Sequence, residues 1–196
     1  REDRRHVQDR DIERLAREVR TVLNLEMACT AEMLGIAERL KPHQVTLVPE
    51  RREEITTEGG LDVSFETPRI RDGIARLKAA GIRTSLFIAP DLRAVELSKT
   101  IGAAAIELHT GSYAHHPKDP GPLGALREAA SRGKAIQLAV HAGHGLTVRN
   151  VAPVARIPEI EELNIGHPIV GRAAFVGIQA AVNEMRAVMD SGRGSS

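Results

Sequence analysis

Tryptophan is absent from the 196 residues, tyrosine occurs once and phenylalanine three times. A core must therefore be built from Ala, Val, Ile and Leu, the composition of parallel sheets covered by helices, and stacking on nucleic-acid bases is excluded as a binding mode. A single cysteine, Cys29, rules out an internal disulfide framework and every multi-cysteine zinc or iron–sulfur site, and it fits a reducing cytoplasm. Charge of one sign is lacking too: 27 basic against 26 acidic side chains leave a formal net charge of +1, with no strongly basic face for nucleic acid. No run of roughly 18 apolar residues exists, and the first ten positions are mostly charged, so neither a spanning helix nor a signal peptide is expected. The reading is a soluble protein with no membrane partner. What is present is 42% hydrophobic residues, ample for one ordinary core.

Periodicity predicts helices over 9–23, 31–40, 68–80, 90–100, 123–132 and 169–189, the second with Thr30 as N-cap and the third closed by Gly81. Strands are predicted over 24–28, 44–48, 84–88, 103–108, 135–140 and 162–165. Residues 112–122 form a Pro, Gly and His-containing loop, 141–146 a glycine-rich turn, and 191–196 a frayed, flexible tail to a single domain over 1–190. Strands that alternate with helices imply a parallel sheet. A closed (β/α)8 barrel typically needs about 250 residues, roughly 50 more than this sequence holds. The expectation is an α/β TIM barrel lacking its first strand, its first helix and most or all of its second strand, so that the six strands are the third to eighth.

Barrel active sites lie at the carboxyl ends of the strands. Polar residues there are Glu26, Glu50, Glu107, His109, His141, His144 and His167. Glu26 reads either as an outward-facing charge or as a functional carboxylate. Glu107, flanked by Ile106 and Leu108, must be paired or functional, because a carboxylate among apolar neighbours is costly otherwise. In His141-Ala-Gly-His144-Gly145, glycines let backbone N–H groups approach a ligand while an imidazole is placed to move protons; a capped loop histidine is the plain alternative. Asn164-Ile-Gly166-His167-Pro168 reads as an anion site at a helix start, with Pro168 at the first helical position. The long segment 49–61 reads as a substrate-covering loop or as solvated surface. Cys29 reads as a small buried hydrophobe rather than a nucleophile. His115 and His116 are expected to be exposed, with a weak transition-metal site as the sharper option.

Eight stretches follow one another in a known order: Arg1-Glu-Asp-Arg-Arg-His6, Asn24-Leu-Glu-Met-Ala28, Leu47-Val-Pro-Glu50, Thr56-Thr-Glu-Gly-Gly-Leu-Asp-Val63, Ser85-Leu-Phe-Ile88, Ile106-Glu-Leu-His-Thr-Gly111, Ala142-Gly-His-Gly-Leu146 and Glu162-Leu-Asn-Ile-Gly-His167. Together they resemble the pyridoxine 5'-phosphate synthase family, the ring-closing enzymes of the deoxyxylulose-dependent vitamin B6 route. The resemblance implies condensation of 1-deoxy-D-xylulose 5-phosphate with 3-amino-2-oxopropyl phosphate to pyridoxine 5'-phosphate, phosphate and water, with no metal or organic cofactor. It implies acid–base roles for Glu26 and His144 and transition-state stabilisation by Glu107. It further implies deoxyxylulose phosphate contacts from Arg1, His6 and Thr56, aminoketone phosphate contacts from Gly145, Gly166 and His167, and a homo-octamer. The family also carries a catalytic His two residues before the position of Arg1, and strand-1 residues (an Asn, an Asp-His pair and an Arg), which this sequence does not contain. The rival readings are a metal-dependent barrel aldolase or hydrolase using Glu107, His109, His141 and His144, and a non-catalytic barrel that binds sugar phosphates.

Overall fold

A computed structural model describes residues 1–4, 7–50, 54–56, 59–64 and 67–194. The elements in chain order are α1 (Asp9–Glu18), β1 (Asn24–Met27), α2 (Ala31–Leu40), β2 (Gln44–Leu47), α3 (Thr67–Ala79), β3 (Arg83–Ile88), α4 (Leu92–Thr100) and β4 (Ala105–His109). They continue with α5 (Gly111–His115), α6 (Pro120–Ala135), β5 (Ala139–Gly143), α7 (Val151–Ala155), β6 (Ile160–Asn164), α8 (His167–Val176) and α9 (Ile178–Arg193). All six strands pair in parallel, in the order β1-β2-β3-β4-β5-β6.

That order fixes the architecture. A doubly wound sheet reverses its strand order at a switch point and carries helices on both faces. Here the order never reverses, so right-handed crossovers put the connecting helices on one face and leave the other to curl inward as a barrel wall. α2 packs on α3 and α4 on α6 within that outer layer. Beneath it lie Leu86, Ile88, Ile106, Leu108, Val140 and Ala142, all fully buried. The fit is close at Gly133 of α6, where a Cβ would stand 2.9 Å from Val140 Cγ2 and 3.1 Å from Ile106 Cδ1.

Strand alternation sends the other parity to the inner face. Register aligns Glu26 with Thr46, Thr46 with Ser85, Phe87 with Glu107, Glu107 with His141, and His141 with Glu162. Barrel interiors are usually filled with Val, Ile and Leu. This one is polar, and Gln44, Thr46, Ser85, Glu107 and His141 are all buried in it.

Local chemistry explains most boundaries. Thr30 caps α2 by accepting from the Met33 N–H at 3.3 Å, Asp91 caps α4 through Ala94 at 3.0 Å, and Asp119 caps α6 through Gly121 at 2.9 Å with Pro120 opening the helix. Cys29 is buried with its Sγ against Gly73 of α3 and its carbonyl accepting from the Arg69 guanidinium at 3.1 Å, a packing role.

α1 stops at Glu18 instead of residue 23: it buries no residue, and β-branched Thr21 and Val22 follow, so nothing holds it longer. The stretch 135–140 is not a strand from its start. α6 runs through Ala135, the chain turns at Gln137 with φ 62°, Leu138 N–H closes on the Gly133 carbonyl at 2.9 Å, and β5 begins at Ala139. His141, Ala142 and Gly143 are therefore strand residues, not turn residues. The loop 112–122 contains α5 and the start of α6. The final segment is two helices, because Gly177 adopts φ 81° between α8 and α9. α9 continues to Arg193, into the stretch that reads as a frayed tail. The Arg193 guanidinium donates to the Ala155 and Ile160 carbonyls at 3.2 and 2.7 Å. Among the described residues no helix is long and apolar enough to cross a membrane.

Candidate active site

A cavity of about 540 Å³ opens at the carboxyl ends of the strands and gathers Arg1, Glu26, Glu107, His144, Gly145, Gly166 and His167, with Phe87, Asn164 and Pro168 beside them. Glu26 and His167, 141 positions apart in sequence, meet there because β1 and β6 end at one rim. Thr56 lies elsewhere, in a groove of about 750 Å³ beside Asp62, Asp91 and Arg93. Its turn is fastened to β3: Leu61 N–H donates to the Phe87 carbonyl at 2.6 Å, and the Thr56 hydroxyl donates to the Gly59 carbonyl at 2.6 Å. His6 lies outside the described residues. Glu50 sits after β2, where its carboxylate accepts from the Glu2 N–H at 3.4 Å, outside the cavity lining.

Glu107 is 3% exposed. Its Oε2 accepts from Asn164 Nδ2 at 2.7 Å, and its Oε1 occupies the space above Gly143, where a Cβ would come within 2.5 Å. Burial, reinforced by the negative field of Glu26 and Glu162 and opposed by the Asn164 hydrogen bond, pushes its pKa up to about 8. At neutral pH it is mostly a protonated acid that can donate a hydrogen bond. Glu26, on the exposed side of the edge strand β1, shares the same cavity. Two carboxyl groups in such different surroundings are suited to opposite acid–base duties.

His144 is one of few non-glycine residues at positive φ, 86°. A histidine held there is strained and needs its surroundings to hold it. Thr110 supplies the hold: its N–H donates to the Gly143 carbonyl at 2.8 Å, and its hydroxyl bonds the Gly143 and His144 carbonyls. Farther along, Asn150 closes the turn by accepting from the Thr147 N–H at 2.7 Å and donating to the Gly145 carbonyl at 3.3 Å. Gly166 and His167 open α8, whose first turn has no side-chain cap; Pro168 stands at the second helical position rather than the first. The unclaimed N–H groups and the helix dipole face the cavity rim, an arrangement suited to an anion.

Phe87 and Thr110 are not among the site residues the sequence points to, and Asn164 is, but as part of an anion site and not as the partner of Glu107. Inward strand parity carries the signal for Phe87 and Asn164, but it becomes usable only once the register is known. His141 is in the barrel interior instead of at the rim. Its Nδ1 stands 4.0 Å from Glu162 Oε1, and burial is the main cause that lowers its pKa. His115 and His116 are exposed. Among the described residues no group of three His, Cys, Asp or Glu side chains is arranged to hold a metal ion. Glu107, His109, His141 and His144 therefore do not form the ligand set that a metal-dependent aldolase or hydrolase would need from them.

Gly143→Ala is expected to cost about 1–3 kcal/mol of stability by overpacking, since the methyl would collide with Glu107 Oε1 and, at 2.8 Å, with the Asn164 carbonyl. Turnover should fall with it, because the acid is displaced. Thermal melting alongside steady-state kinetics checks both, and a variant with wild-type melting and turnover would refute the tight fit.

The family model described as "Pyridoxal phosphate biosynthesis protein PdxJ" matches residues 1–191. The pyridoxine 5'-phosphate synthase of Synechococcus sp. (strain JA-2-3B'a(2-13)) is 54% identical over 192 residues, covering 96% of this chain and 80% of that protein. That of Thioalkalivibrio sulfidiphilus (strain HL-EbGR7) is 53% identical over 198 residues, covering 98% and 80%. Among solved structures, 3-hexulose-6-phosphate synthase from Salmonella typhimurium aligns with a TM-score of 0.69 at 14% identity, covering 95% of this chain and 82% of that one. The 3-keto-L-gulonate-6-phosphate decarboxylase from Vibrio cholerae O1 aligns with a TM-score of 0.64 at 11% identity, covering 93% and 79%. At such identities the two structures speak to the fold alone.

Proposed function

The chain belongs to the PdxJ family of pyridoxal phosphate biosynthesis proteins, and from that premise we propose that the cavity at the strand ends condenses 1-deoxy-D-xylulose 5-phosphate with 3-amino-2-oxopropyl phosphate to pyridoxine 5'-phosphate, phosphate and water. One observation carries the reading of the site: a buried carboxyl with its pKa pushed up to about 8, Glu107, shares a cavity with a solvent-facing carboxylate, Glu26, and an imidazole, His144. Joining an amine to a ketone, expelling water and phosphate, and closing a ring are proton-transfer steps, and each needs a donor and an acceptor at fixed positions.

Glu26 and His144 are assigned the proton transfers. Glu107, as a neutral acid, donates a hydrogen bond to oxygen as charge develops on it. Arg1 supplies a cation to the deoxyxylulose phosphate side. The amides of Gly145 and Gly166 and the imidazole of His167 receive the aminoketone phosphate at the start of α8. Cytoplasmic action and the family's homo-octamer are part of the same reading.

The direct test is to supply both substrates and follow pyridoxine 5'-phosphate and released phosphate together. Equal yields of the two are expected, and bound substrates without product would defeat the proposal. Inorganic phosphate alone should perturb the amide resonances of Gly145, Gly166 and His167. His167→Ala should raise KM for the aminoketone phosphate about tenfold, the equivalent of one charge-assisted hydrogen bond of about 1.4 kcal/mol, with kcat nearly unchanged. Phosphate that perturbs only residues near Arg4 would remove the anion site from the rim of α8.

A further inference from the structure

His109 ends β4 one residue before Thr110, yet it does not line the cavity that holds Glu26, Glu107 and His144. It borders a separate pocket of about 180 Å³ with Ser112 and Tyr113. Its ring is nevertheless placed with great economy. One face stacks on the His144 imidazole, with centroids 4.7 Å apart and planes 29° from parallel. Phe87 meets it edge-on at 5.2 Å and 74°. Two glycines make room for the ring. A Cβ on Gly59 would come within 2.5 Å of His109 Cε1, and one on Gly111 would collide with the same atom.

We propose that His109 is a positioning residue: a flat wedge that sets the ring plane of His144 and ties it to the Thr56–Gly60 turn. His144 is exposed, and Phe87, its other ring neighbour, stands 6.5 Å away. Thr110 fixes the backbone of His144 but not its side-chain torsions. An exposed imidazole without a stacking partner samples rotamers on a picosecond to nanosecond scale, and a misplacement of about 1 Å at a reacting group can cost on the order of 10²-fold in rate. The His109 ring is the contact that removes this freedom. Gly59 also packs against the ring, and its amide donates to the Thr56 carbonyl at 3.0 Å. A contact sequence thus runs from the Thr56 turn through Gly59 and His109 to His144, linking the groove beside α4 to the acid–base cavity.

The inference rests on the acid–base reading of His144, and the experiment separates the two. In the enzyme, His109→Ala should lower kcat by about 10- to 100-fold while leaving KM for both substrates within about twofold, and it should shift and broaden the His144 imidazole resonances. His109→Phe should recover most of kcat, since a flat ring still stacks and no proton need pass through it. It also keeps the bulk between Gly59 and Gly111, so it reports even where the Ala variant collapses. Gly59→Ala should move the His144 resonances without touching that residue. Wild-type kcat and unmoved His144 resonances in His109→Ala would overturn the proposal, as would a folded His109→Phe as inactive as His109→Ala, which would make His109 a proton carrier. Full turnover in His144→Ala would instead defeat the acid–base reading while leaving the resonance coupling between His109 and His144 intact.

Discussion

Glu107→Gln is expected to lower kcat by about 10²–10³-fold, the usual worth of one hydrogen-bond donor aimed at developing charge, while the protein still folds. The amide keeps the shape and can still meet Asn164, but its N–H is a weaker donor to developing charge than the carboxylic acid O–H. Its effect on stability has a predictable sign. The ordinary carboxyl value is 4.5, and burial together with the field of Glu26 and Glu162 pushes Glu107 up to about 8. The folded protein therefore holds this proton more tightly than the unfolded chain. That advantage is fully present below pH 4.5, declines as pH rises between 4.5 and 8, and is gone above 8. A glutamine has no such term. Melting temperatures recorded from pH 5 to 9 should thus fall more steeply for the wild type than for the variant, with the gap closing or reversing at the alkaline end. Parallel pH curves would mean that Glu107 is not held protonated, and turnover near wild type would remove it from the chemistry.

Much of the frame is legible in the sequence because a parallel barrel wall repeats one unit. Short apolar strands followed by amphipathic helices set a period that survives errors of a few residues, and Thr30 marks the start of α2 by the chemistry of its side chain. Glu107 stands out for a similar reason: the alternation Ile106, Glu107, Leu108 puts two residues under the helices and one inside, and burial of the carboxyl follows. The stretch 135–140 shows the opposite case. Its run of apolar residues fits a strand or a helix end equally, and the choice is made by the packing of Gly133 on Val140 and Ile106, which is tertiary. β5 begins at Ala139 and runs on to Gly143, past the predicted end at residue 140, so His141 lies within the strand and faces the interior instead of standing on a turn at the rim. Likewise the stacking of His109 on His144 joins a strand end and a turn 35 residues apart, and no local pattern announces it. Thr56 is separated from the cavity by how its turn docks on β3, a matter of backbone bonds to Phe87 that residue type does not reveal.

Glu26→Gln should behave differently from Glu107→Gln, and the contrast identifies both residues. Glu26 is exposed on the edge strand β1, so replacing it should change stability by no more than about 0.5 kcal/mol, the ordinary range for a surface position. Turnover should nonetheless fall by about 10²–10⁴-fold if Glu26 exchanges a proton with substrate. A second consequence follows from electrostatics. The negative field of Glu26 is one of the causes that hold the Glu107 pKa high, so removing that charge must lower it. The residual activity of Glu26→Gln should therefore lose its alkaline limb at a lower pH than the wild type does, and the steep part of its melting curve should move the same way. A plain outward-facing charge predicts the reverse pattern: turnover kept, with no displacement of either pH curve. Measuring kcat, melting temperature and the pH of the alkaline limb on the one variant decides between them, and retained turnover with an unmoved limb would show that Glu26 neither exchanges a proton with substrate nor acts on Glu107.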